Sequence, residues 1–194
     1  MNQGFGSAAH LVRRFMGSLR PGGPGREDDA WARTFLKPGE QELWTQMSGP
    51  DRRHAVAVAR ALVAAGVAQG EGGSGPLASA EAVPAALLHD VGKVASSLGT
   101  FGRAVTTALA LVVGRERIAR GSGAMARYLR HDALGADLLV RAGSDALTEA
   151  WAREHHLPPS RWSVPPAVGE ALKAADDDEP RGRVQPGQPD RRSQ

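Results

Sequence analysis

The sequence predicts an all-α protein, and three observations carry that prediction. Alanine, leucine and valine dominate the apolar residues, while aromatics are only 5% of the chain, a mixture that favours helix over sheet. Apolar residues recur at steps of three and four along most segments. No pair of alternating runs flanks a two-residue turn, so no hairpin is expected, and no internal repeat is present. With 194 residues, 41% of them hydrophobic, the chain suits one domain with a real core.

Each element follows in order. Residues 1–20 place Leu11, Phe15 and Leu19 at four-residue spacing beside Arg13, Arg14 and Arg20. They read as a short amphipathic helix or, preferred, a frayed N-terminal arm. "RPGGPGRED" (20–28) is a flexible linker, so 1–28 is expected as arm and linker. The compact region, 29–178, opens with "DDAWARTFL"; "KPGE" breaks the chain, and "EQELWTQM" forms a short helix that ends at "SGP". A longer helix runs from Asp51, its expected N-cap, to a stop at Gly66. After the Gly-rich loop "GVAQGEGGSGP", a helix opens near Ser79 and carries "AALLHDVGK". An apolar helix at 99–113, a basic turn "GRERIARGSG" and a helix approaching His131 come next. Helices at 131–142 and 144–156, the rigid loop "LPPSRWSVPP" and the helix "AVGEALKAADD" complete the domain. The stretch 179–194 has almost no apolar residues and is expected to be a disordered tail.

Composition narrows the function classes. There is no cysteine, which excludes disulfides and thiolate metal sites. A net charge of +3 spread over scattered arginines makes nucleic acid an unlikely partner, and Arg115, Arg117, Arg120, Arg127 and Arg130 read as a solvated face. The longest apolar run, "AVTTALALVV", is half the length of a membrane span of about 20 residues, and no signal-peptide pattern is present. A soluble cytoplasmic protein is expected.

The polar residues then become informative. In the helix from Asp51, His54 shares a stripe with Val58, Leu62 and Ala65. Val83, Ala86, Leu87 and Asp90 form a second stripe that ends in a carboxylate beside His89. His131 precedes Leu134 and Leu138, His155 follows Leu147 and Trp151, and Asp176 closes Val168 and Leu172. Several imidazoles and two carboxylates aimed into one core are costly without compensation. A divalent metal bound through nitrogen and oxygen supplies it: iron, manganese, zinc, cobalt or magnesium.

The order His54, His89-Asp90, Asp176 resembles the HD-domain superfamily of metal-dependent phosphohydrolases. "LLHDVGK" is similar to bacterial members in which a glycine and a lysine follow the pair, and "HDALGADLL" and "EHH" resemble the two-metal branch. The resemblance covers 51 to about 178 and implies an HD-domain-like helical bundle with a metal site in its core. By position it implies that His54, His89, Asp90 and Asp176 hold one metal. Asp90 would bridge to a second held by His131 and by His155 or His156. Lys93 faces either a substrate phosphate or solvent. The Gly-Tyr-Pro signature of the cyclic-di-GMP phosphodiesterases is missing, since Ser163-Val164 precede Pro165. Asp51, three residues before His54, lends no support to a third metal.

The implied activity is hydrolysis of a nucleotide or other small phosphate ester, with one or two metals activating water, Asp90 and Lys93 as catalytic residues, and Lys93 and Arg161 binding substrate. The rival is a metal-binding HD-fold scaffold or regulatory protein without turnover.

Overall fold

The computed structural model describes residues 22–69 and 82–177, and among them every regular element is helical. Helix α1 (Arg26–Arg33) opens on Glu27, Asp28 and Asp29, where the helix dipole favours acidic groups. Residues 26–28, expected in the linker, are therefore its first turn. The expected break at Lys37-Pro38 is likewise the start of α2 (Pro38–Gln46). Pro38 needs no N–H partner there, and Glu40 Oε2 accepts from the Lys37 N–H at 2.7 Å.

Helix α3 (Gly49–Gln69) begins before Asp51 and runs through Gly66. Ser48 does the capping expected of Asp51: its Oγ accepts from the Asp51 N–H at 3.3 Å and donates to Asp51 Oδ2 at 2.6 Å. Asp51 is left to bind Arg103, at 2.8 and 2.7 Å from its two oxygens. Ser79, the expected start of the next helix, lies outside the described residues, as do the outer part of the N-terminal arm and the 179–194 tail.

Helix α4 (Ala82–Leu88) is the central element, and all seven of its residues are buried. A 3-10 turn, Val91–Ser96, follows it. Helix α5 (Thr100–Val113) then meets α6 (Arg115–Ala119), a short helix in the segment expected to be a turn. Gly114, at φ 98°, makes the bend between them in a region that L side chains avoid. Helices α7 (Ala124–Leu129), α8 (His131–Ala142) and α9 (Ala146–Glu154) come next, α9 being capped by Asp145 Oδ1, which accepts from the Thr148 N–H at 2.8 Å. A second 3-10 turn, Pro159–Arg161, leads to α10 (Pro166–Asp177).

Helices α3, α9 and α10 pack around α4, α8 packs on α9 and on the first 3-10 turn, and α2 packs on α8. Trp44, Leu62, Leu87, Leu88, Leu139, Trp151 and Leu172 fill the core. Burying each such side chain is worth about 1.5–3 kcal/mol, which is why α4 stays helical although it is too short to form alone. Trp162 meets Trp151 edge to face at 5.3 Å and donates from Nε1 to the Glu154 and Leu157 carbonyls, pinning the proline-rich loop to the end of α9. No helix among the described residues is long and apolar enough to cross a membrane.

Candidate metal centre

Five helices or their ends deliver seven side chains to the C-terminal end of α4. Asp90 lies two residues beyond α4, at the start of the 3-10 turn Val91–Ser96, with φ −97° and ψ 6° in the bridge region where the chain leaves the helical path. The ligand atoms fall into two groups, each with all its atoms within 4.8 Å of one another: His54, His89 and Asp176, then Asp90, His131, His155 and His156. Both groups consist entirely of residues that the sequence marked as ligands.

Asp90 joins the groups. Its Oδ2 lies 3.4 Å from His89 Nε2, and its Oδ1 lies 3.4 Å from His131 Nε2 and 3.8 Å from His155 Nε2. Asp176 Oδ1 lies 3.0 Å from His54 Nε2 and 3.8 Å from His89 Nε2. His156 Nε2 is 3.3 Å from His131 Nε2. A cation with bonds of about 2.0–2.2 Å separates neighbouring ligand atoms by about 3–3.5 Å, so most of these spacings suit a shared ion.

Backbone carbonyls fix the imidazoles. His89 Nδ1 faces the Ala86 carbonyl at 2.9 Å, His131 Nδ1 that of Tyr128 at 2.8 Å, and His155 Nδ1 that of Ala152 at 3.1 Å. A carbonyl only accepts, so each Nδ1 carries a proton and Nε2 is the atom each ring turns inward. His89 Nε2 and His155 Nε2 are buried and have no hydrogen-bond partner. Two buried nitrogens without a partner, beside carboxylates, are expensive to hold and fit a donor set for a cation.

Charge is balanced unevenly. Burial alone would raise the Asp90 carboxyl, but the Lys93 ammonium and His89 reverse this and hold it well below the usual carboxylate range. Burial would lower Lys93, yet Asp90 and, further off, Asp51 and Tyr128 keep it above the ordinary lysine value. Burial pulls His155 well below the normal imidazole value, and His156 and His89 pull it further. Burial, with His131 beside it, pushes His156 down to about 4. His89 rises despite burial, because Asp90 and Asp176 stabilise its charged form. At neutral pH His155 and His156 are therefore uncharged donors beside an ionised Asp90, as metal binding requires.

Lys93 is not left in solvent: its ammonium is paired with Asp90, and its side chain is only 16% exposed. Arg161 is exposed on the 3-10 turn Pro159–Arg161, and no contact among the described residues ties it to the cluster. Arg127 is not simply solvated either; its Nε donates to the Ala95 carbonyl at 2.8 Å. Sequence reasoning missed Tyr128, whose ring stacks on His131 at 5.7 Å and 18° and whose carbonyl orients it. A lone tyrosine three residues before a histidine gives no signal of this.

Protein-family models, curated proteins and solved structures contain no significant match to this chain.

Proposed function

We propose that the chain is a metal-dependent phosphohydrolase of HD type, acting on a nucleotide or another small phosphate ester. The observation that carries this reading is Asp90: one oxygen faces each ligand group, the arrangement a carboxylate bridging two cations needs. His54, His89, Asp90 and Asp176 would hold one ion, and Asp90, His131, His155 and His156 the other. Five imidazoles and no thiolate favour a transition metal such as iron, manganese, cobalt or zinc over magnesium, which prefers oxygen donors.

When bound, such ions supply Lewis acidity towards a phosphoryl oxygen and make water a nucleophile near neutral pH. The chain's own groups do the rest. Asp90 holds the two halves of the site in register. Lys93, protonated at neutral pH, is held at the cluster and would offset negative charge that develops on a phosphoryl group. The Nδ1–carbonyl bonds keep the imidazoles oriented, so little reorganisation is needed at the moment of reaction.

The test couples metal content to turnover. Wild type purified without chelator should carry metal; H54A should lose part of it, and D90A, which faces both groups, most of it. With added manganese, wild type should hydrolyse at least one member of a panel of nucleotides and phosphodiesters, and D90A none. Stoichiometric metal with no turnover on the panel points to the scaffold alternative. Metal-free wild type removes both readings.

A further inference from the structure

The end of α5 stands clear of the protein. Across 107–117 every residue except Ala110 is exposed, and the apolar side chains there are unusually bare: Leu111 is 83% exposed and Val112 86%, with Leu109 and Val113 at 39% and 43%. Scattered apolar residues on a surface need no account, but adjacent leucine and valine at the tip of a helical prong do. Immediately beyond Gly114, α6 and the residue after it bring Arg115, Arg117 and Arg120 against Glu116, with Asp132 of α8 at 3.8 Å from Arg115, which leaves a net positive charge. An apolar tip is thus collared by net positive charge.

We propose that this α5–α6 tip docks on an anionic membrane surface, with Leu111 and Val112 entering the lipid and the arginines meeting the headgroups. Charge complementarity selects this occupant. In a symmetric pair of α5 tips, the arginine collars of the two copies would face each other and repel. A nucleic acid would pair with the arginines, yet 107–120 has no aromatic ring on which a base could stack, and its bare leucine and valine would gain nothing. An anionic bilayer satisfies both halves at once, since apolar burial and attraction to acidic lipid add. The first 21 residues, with Arg13, Arg14, Arg20 and no acid among them, supply further positive charge for the same kind of surface.

The experiment is co-sedimentation of the full chain with vesicles of pure phosphatidylcholine and of equimolar phosphatidylcholine and phosphatidylglycerol. Wild type should pellet with the mixed vesicles at least about tenfold more than with the neutral ones, and added salt should weaken the binding. The double substitution L111E/V112E should lose binding by about tenfold or more, and R117Q by about fivefold. V140E, on the exposed face of α8, should match wild type. The substituted residues lie at exposed positions, so circular dichroism and metal content should stay at wild-type levels and separate this proposal from the metal centre. Equal binding by wild type and L111E/V112E, or binding to neither vesicle, overturns it. So does self-association without lipid that L111E/V112E abolishes, which would make the tip an interface between copies.

Discussion

Gly92 has no room for a methyl group. A Cβ there would lie 1.8 Å from the His131 carbonyl oxygen and 2.6 Å from the Gly135 nitrogen, and a Cβ on Gly135 would lie 3.0 Å from the Gly92 nitrogen. The two glycines let the turn after Asp90 rest on the first turns of α8, which carries His131. Gly92 stands three residues after His89 and Gly135 four after His131, but in the sequence only as part of a pattern; the reason for them is a contact between segments about forty residues apart, which no local periodicity encodes. G92A must move α8 backbone, so it should destabilise the protein by about 3 kcal/mol, at the upper end for overpacking, and weaken metal binding with it. G123A, with nothing within 4 Å of its Cβ, should change stability by less than about 0.5 kcal/mol. Thermal melts and metal content of the two variants check this, and equal behaviour would remove the close approach as an explanation.

Elements were legible where one face repeats and illegible where contacts decide. The stripe Val168, Leu172, Asp176 is buried as spacing predicts, and so are Val58 and Leu62 below His54. The α8 stripe differs: His131 is buried with Gly135 and Leu139, while Leu134 and Leu138 are only half-buried. Hydrophobicity alone points to the leucines, because the pattern gives no weight to a glycine that buries itself by close approach. In α4 the stripe had no discriminating value, since every side of that helix is covered. The joining of α1 to its neighbours was not legible at all. Asp29 accepts from Arg33 Nε at 2.7 Å, Trp44 Nε1 at 2.9 Å and Arg52 at 3.1 Å, tying α1 to α2 and α3. Burial would raise this carboxyl, but those hydrogen bonds and the two arginines more than compensate and hold it below its usual 3.8. A depressed folded value means that the carboxylate stabilises the fold above the unfolded value and loses that effect as pH falls through the folded one. D29N should therefore cost about 1 kcal/mol at neutral pH, and the gap to wild type should close as urea titrations are repeated in increasingly acid buffer. A gap that stays constant with pH would show that the charge is not what matters.

At the scale of the whole molecule, the metal centre and the fold share one set of helices. His54 comes from α3, His89 and Asp90 from the end of α4, His131 from the start of α8, His155 and His156 from the end of α9, and Asp176 from α10. Without a cation, this junction buries two imidazole nitrogens that lack a partner and two carboxylates, and among the described residues Lys93 brings the ammonium to it. Those groups desolvate whether or not an ion repays them, so the metal-free fold carries a penalty at the point where its helices converge. An ion that binds the assembled site and not the unfolded chain removes that penalty and stabilises by mass action, about 2.7 kcal/mol at a hundred times its dissociation constant. For a chain of this size, that is a rise in melting temperature of about 5–10 °C. Chelation of wild type should lower the melting temperature by this amount, and manganese or zinc should restore it. In D90A, which removes the carboxylate shared by both groups, chelator and metal should have little effect. The rise should also shrink below neutral pH, because protons compete for His89, whose charged form Asp90 and Asp176 stabilise, and this can be read from melts with and without manganese across the acid range. A wild-type melting temperature indifferent to chelator and to added metal would mean that the seven side chains are held together by their own hydrogen bonds and ion pairs alone.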